Sequence, residues 1–81
     1  MSWTPEWHPV PRRDLLNIPW RAAARIDAAV MLYAETGRGT LKQIAPPDER
    51  RLLLTVPGAA ALLYLDVRTR TILIGRVFRR S

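Results

Sequence analysis

The sequence predicts an α+β fold: an N-terminal strand or arm, a helical hairpin, then a four-stranded antiparallel meander. Three observations lead there. Apolar residues recur every three or four positions through residues 19–36 and then stop. After Gly37 they gather instead into short runs containing β-branched residues. Those runs are separated by turn signals too short to hold a crossover helix, so neighbouring strands must run antiparallel. Helices first and strands afterwards is the order of an α+β protein.

Each element follows from its own residues. Residues 1–10 carry Trp3 and Trp7 among Pro5 and Pro9. Proline has no N–H to donate, so this stretch is an edge strand or an extended arm. Residues 11–17 read as a short helix with Pro11 in its first turn, where no donor is needed. Residues 19–36 make the clearest helix, opened by Pro19 and closed by Gly37, which suits a left-handed cap. Its core stripe is Ala22, Ile26, Ala29 and Tyr33, widened by Ala23 and Val30. Arg21, Arg25 and Glu35 lie off the stripe and should face water. The strands are expected at 40–45, 50–56, 59–67 and 70–79, joined by Pro46-Pro47-Asp48, Pro57-Gly58 and Arg68-Thr69-Arg70.

Composition narrows the function. Eighty-one residues make one domain, 1–81, with a thin stability margin. There is no cysteine, so no disulfide or thiolate metal site, and His8 alone cannot build a metal centre. No cofactor is expected. No apolar run reaches the eighteen or so residues of a membrane span, and the first residues lack the blocks of a signal peptide. A cytoplasmic protein is expected. Thirteen basic residues against seven acidic ones leave a net charge of +6, and all the basic residues but Lys42 are arginine. Arginine's planar fork engages phosphates and carboxylates, so RNA, DNA or an acidic protein segment are the partners this charge favours. The bland alternative is a solvated arginine-rich surface set by codon usage.

Strand alternation sorts the later residues into two faces. Leu52, Leu54 and Val56 share one face, while Arg51, Leu53 and Thr55 share the other. Arg76, Phe78 and Arg80 share a face in the last strand. Arginines do not enter a small core without partners, so Arg51, Arg76 and Arg80 belong on the side that the helices leave open. Phosphates would sit on the guanidinium groups and a base would stack on Phe78. Alternatively, Phe78 enters the core and the final run is a solvated edge.

The order of pieces resembles the RelE/ParE toxins of type II toxin–antitoxin systems over nearly the whole chain. The resemblance is carried by the break Asn17-Ile18-Pro19, by Gly37-Arg38-Gly39-Thr40-Leu41-Lys42-Gln43-Ile44, by the Arg50–Asp66 stretch with its Gly58 and Tyr64, and by the closing run Ile72–Arg80. It implies a RelE-like fold and a toxin that inhibits translation by binding, and as an endoribonuclease by cutting, messenger RNA on the ribosome. It also implies an acidic antitoxin as partner in a hetero-oligomer, for which Met31 and Leu32, apolar and off the core stripe, are candidate contacts or else scattered surface apolars. By position, Arg51 and Arg80 match the family's basic site residues, and Arg50, Arg76, Phe78, Arg79 and Lys42 would bind RNA.

The departures are specific. Ala60 stands where the family carries an arginine, Leu53 replaces a second basic residue, and no tyrosine or histidine follows Arg80. Proton transfer and phosphorane stabilisation need such groups. Three accounts fit: a ParE-like inhibitor of DNA gyrase that cuts no RNA, a degenerate relative, or a substitution introduced at Ala60. Elsewhere, His8 beside Trp7 reads as structural, and Asp14, Asp27 and Glu35 form no acid–base pair.

Overall fold

The computed structural model describes residues 2–44 and 50–80, so the expected turn at Pro46-Pro47-Asp48 and the strand end at residue 45 lie outside the described residues. Strand β1 spans Thr4–Trp7, helix α1 Pro9–Leu16 and helix α2 Trp20–Thr36. The strands β2 (Leu41–Gln43), β3 (Arg51–Val56), β4 (Ala59–Asp66) and β5 (Thr71–Arg79) follow. The first segment is therefore a strand, and the first helix begins two residues earlier than expected. Pro9 itself takes the first helical position, and both Pro9 and Pro11 fall in the turn whose N–H groups lack helical partners anyway. Pro19 sits just before α2, its carbonyl accepting the Ala23 N–H at 3.0 Å. At the other end Gly37 has φ 76° and donates to the Tyr33 carbonyl at 2.8 Å, a left-handed cap that glycine adopts without strain.

The sheet order is β1-β5-β4-β3-β2. β2 through β5 form the expected antiparallel meander. β1 adds at the edge, parallel to the last strand, with Thr4 opposite Thr71 and Trp7 opposite Ile74. A two-residue turn, Pro57-Gly58, joins β3 to β4; Gly58 has φ 90°, the left-handed position that a Pro-Gly turn needs. Between Leu62 and Leu63 the register slips, because Leu62 faces Arg76 while Leu63 faces Ile74. Gly75 is the extra residue of this bulge.

Both helices follow from β1. α2 lays Ala22, Ile26, Val30, Tyr33 and Ala34 against Leu54, Ala59, Ala61, Leu63, Ile72, Ile74 and Val77. Ala29 of the expected stripe is only partly buried and Ala34 takes its place in the core. Arg21, Arg25 and Glu35 are exposed as expected, with Arg25 donating to the Pro57 carbonyl at 3.2 Å. Each large side chain buried in this layer contributes about 1.5–3 kcal/mol. Among the described residues, no helix lies on the opposite side of the sheet.

Candidate nucleic-acid interface

The side chains on the uncovered face are set by pairing, since residues opposite one another share a face. One row across the sheet is Glu6, Leu73, Tyr64 and Arg51. The next is Arg76, Leu62, Leu53 and Lys42. A third is Phe78, Ala60 and Thr55, whose hydroxyl and N–H both reach the Thr40 carbonyl. The Arg80 N–H donates to the Gly58 carbonyl at 3.0 Å, which extends the alternation and puts Arg80 beyond Phe78 on the same face.

Arg51, Lys42, Arg76, Phe78 and Arg80 are thus brought to one surface. Phe78 is 44% exposed and outside the core cluster, which settles its two readings in favour of the open face. Arg79 is not with them: it pairs with Ala59 of the core and lies at the end of the helix-bearing side. Arg50 precedes Arg51 by one residue and so falls on that side too, its carbonyl accepting the Leu65 N–H at 2.7 Å. Ala60 belongs to the open face by register but is 0% exposed. An alanine there lies beneath its taller neighbours instead of standing among them.

The bulge decides this arrangement. Ile72 and Ile74 are buried, so strict alternation would turn Arg76 and Phe78 inward. The extra residue, Gly75, reverses the phase; Val77 enters the core, while Arg76 and Phe78 turn out. Gly75 also lies under the Tyr64 ring, where an added Cβ would come within 2.6 Å of Cε2.

Arg76 has a partner that sequence reasoning missed. The Asp14 carboxylate on α1 accepts Arg76 Nε at 2.8 Å and Nη2 at 3.2 Å, and also the Val77 N–H at 2.9 Å. β1 pairs β5 only as far as Ile74, and beyond it α1 places Asp14 on the bared edge of β5. The Asp14 side chain is 13% exposed, while that of Arg76 is 62% exposed. Hydrogen bonds from Arg76 hold the Asp14 carboxyl below its ordinary range, against the opposing effect of partial burial, and the Val77 N–H and the Arg76 charge add to the lowering. The same pairing raises the already high Arg76 pKa. The two residues stand 62 apart in sequence, and nothing local signals the contact. Tyr64, quoted only as part of a family pattern, is the second residue missed.

A helical hairpin over one side of a five-stranded, mostly antiparallel sheet is a RelE-like fold. Among solved structures, this chain is similar to a chain in the crystal structure of the toxin–antitoxin complex RelBE2 from Mycobacterium tuberculosis, with a TM-score of 0.79. The match covers 99% of this chain and 100% of that one, at 22% sequence identity, and it is the fold that the two share. No protein-family model and no curated protein matches the sequence. Among the described residues, no helix is long and apolar enough to cross a membrane.

Proposed function

We propose that this chain is the toxin of a type II toxin–antitoxin pair and that it inhibits translation by binding messenger RNA on the ribosome. The observation that carries the reading is the uncovered sheet face, which presents Arg51 and Lys42 on its β3–β2 side and Arg80 next to the exposed Phe78 on β5. The fold's occurrence in a toxin–antitoxin complex supports it. In this reading Arg51 and Arg80 neutralise phosphates, Phe78 stacks on a base, and Lys42 adds to the attraction. Arg76 joins them with its charge already shared with Asp14. Arg50 and Arg79 act at the rim, through the field rather than by contact. An acidic antitoxin covers the basic surface in a hetero-oligomer, and the pair works in the cytoplasm.

Controlled expression in a bacterial host should arrest growth, and the purified chain should stop a reconstituted translation reaction. Arg51→Ala and Phe78→Ala should each relieve the block. If translation proceeds at full rate with saturating native chain, the reading fails. One observation favours a second reading. Ala60 is packed out of solvent between Phe78 and Thr55, so no guanidinium stands at that position of the face. That suits a ParE-like toxin that inhibits DNA gyrase through protein contacts. A supercoiling assay run beside the translation assay separates the two targets.

A further inference from the structure

The open face is not uniformly basic. In the row Glu6, Leu73, Tyr64, Arg51, a carboxylate stands at one end and a guanidinium at the other, with apolar and aromatic surface between. Three strand spacings, about 14 Å, separate their backbones. At the Glu6 end the surface sinks into a concavity of about 390 Å³ lined by Glu6, Tyr64, Leu73, Thr71, Thr69 and Asp66. The Tyr64 ring is held as a wall because it lies directly on Gly75. Asp66 is engaged in its own turn, Oδ1 accepting the Arg68 N–H at 3.0 Å and the Thr69 N–H at 3.4 Å. Glu6 is 59% exposed, with the His8 ring 3.7 Å away, and its oxygens can accept from a ligand.

We propose that this concavity reads one base of a single-stranded RNA, with guanine preferred. The proposal rests on the RNA-binding reading above and adds base selectivity to it. Glu6 and Asp66 repel phosphate while Arg51 attracts it, so the backbone of the strand runs on the β3 side and the base points toward β1. Tyr64 and Leu73 offer flat apolar walls to any base. Selection falls to Glu6, since an ionised carboxylate only accepts hydrogen bonds. Guanine alone among the four bases carries two adjacent donors, N1–H and N2–H, on its pairing edge. Adenine and cytosine offer one donor beside an acceptor. The uracil N3–H lies between two carbonyls that a carboxylate repels.

The test titrates the full chain with RNA heptamers of uridine in which the central base is guanine, adenine, cytosine or uridine. The guanine heptamer should bind about tenfold more tightly than the all-uridine one, the discrimination that a bidentate base contact supplies. In Glu6→Gln, the amide offers one acceptor beside one donor, which adenine and cytosine both match and which no longer meets two guanine donors. The guanine preference should therefore be lost, with all-uridine affinity unchanged or raised. Tyr64→Phe should keep the guanine preference, since the ring and not the hydroxyl forms the wall. Four equal affinities in the native chain, or a guanine preference that survives Glu6→Gln, would overturn base reading while leaving RNA binding intact. Failure to bind any heptamer at low salt instead removes the RNA reading on which it rests.

Discussion

Asp14 carries more than its share of the contacts between α1 and the sheet. It accepts one backbone N–H and both arms of a guanidinium from β5. Removing it leaves the Val77 N–H without its acceptor, at a cost of about 1–2 kcal/mol. Asp14→Ala should lower stability by that amount in urea unfolding at neutral pH, and Asp14→Asn, which can still accept from Val77, by less. The pH dependence has a definite sign. The folded carboxyl titrates below its ordinary value of 3.8, so its contribution is fully present above that value and is lost as pH falls through the depressed one. The native chain should lose stability more steeply than Asp14→Asn as pH falls below 3.8, as followed by urea midpoints measured from neutral pH down through that value. Gly75 makes a different demand, that of close approach. Gly75→Ala drives a methyl into the Tyr64 ring and should cost about 1–3 kcal/mol. In a Tyr64→Ala background the same change should cost clearly less, and equal costs in both backgrounds would mean the ring is not what the methyl meets.

At the scale of elements, α2 has two faces with very different stakes. Ile26 is fully buried against the sheet, while Leu32 on the outer face is 49% exposed. Ile26→Ala should cost about 2–5 kcal/mol, because it removes transfer energy and leaves a cavity. Leu32→Ala should stay within about 0.5 kcal/mol in the isolated chain. Thermal unfolding of the two variants checks both figures. If an antitoxin docks on Met31 and Leu32, Leu32→Ala should nevertheless weaken the complex. Most of these elements are legible from local sequence. The stripe on α2, the glycine after it and the Pro57-Gly58 turn are each written within a few residues. Two features are not. The parallel pairing of β1 with β5 joins the two ends of the chain. The bulge at Gly75 reads in sequence as an ordinary glycine in a strand, yet it decides which way Arg76 and Phe78 point.

The whole molecule concentrates its excess charge unevenly. One edge of the open face holds Glu6 and the Asp14–Arg76 pair, and the other holds Arg51 and Lys42. RNA binding driven by the basic side should weaken with salt, log affinity falling by about 0.7 per decade of salt for each phosphate neutralised on a single strand. Arg51→Ala should reduce that slope by about one phosphate. Asp14→Asn frees the Arg76 charge and should steepen it. Fluorescence anisotropy with a uridine heptamer at several salt concentrations reads both slopes, and identical slopes for native chain and Arg51→Ala would remove Arg51 from the contact surface. A chain of 81 residues with no disulfide to staple it also gains from any partner that binds only the folded form, so a saturating antitoxin should raise its melting temperature.

Residue order alone determined the α+β class, the meander, the core stripe of α2 and the division of β3 into an apolar and a mixed face, because periods of 3.6 and 2 are properties of a backbone and are written locally. It also placed Arg76 with Phe78 and Arg80 on one face. Tertiary structure decided what those residues meet: Asp14 on the edge of β5, Ala60 packed out of solvent, and Glu6 in one row with Tyr64 and Arg51. Those contacts come from strand pairing and helix docking between distant segments, and their geometry exists only once the chain has closed on itself.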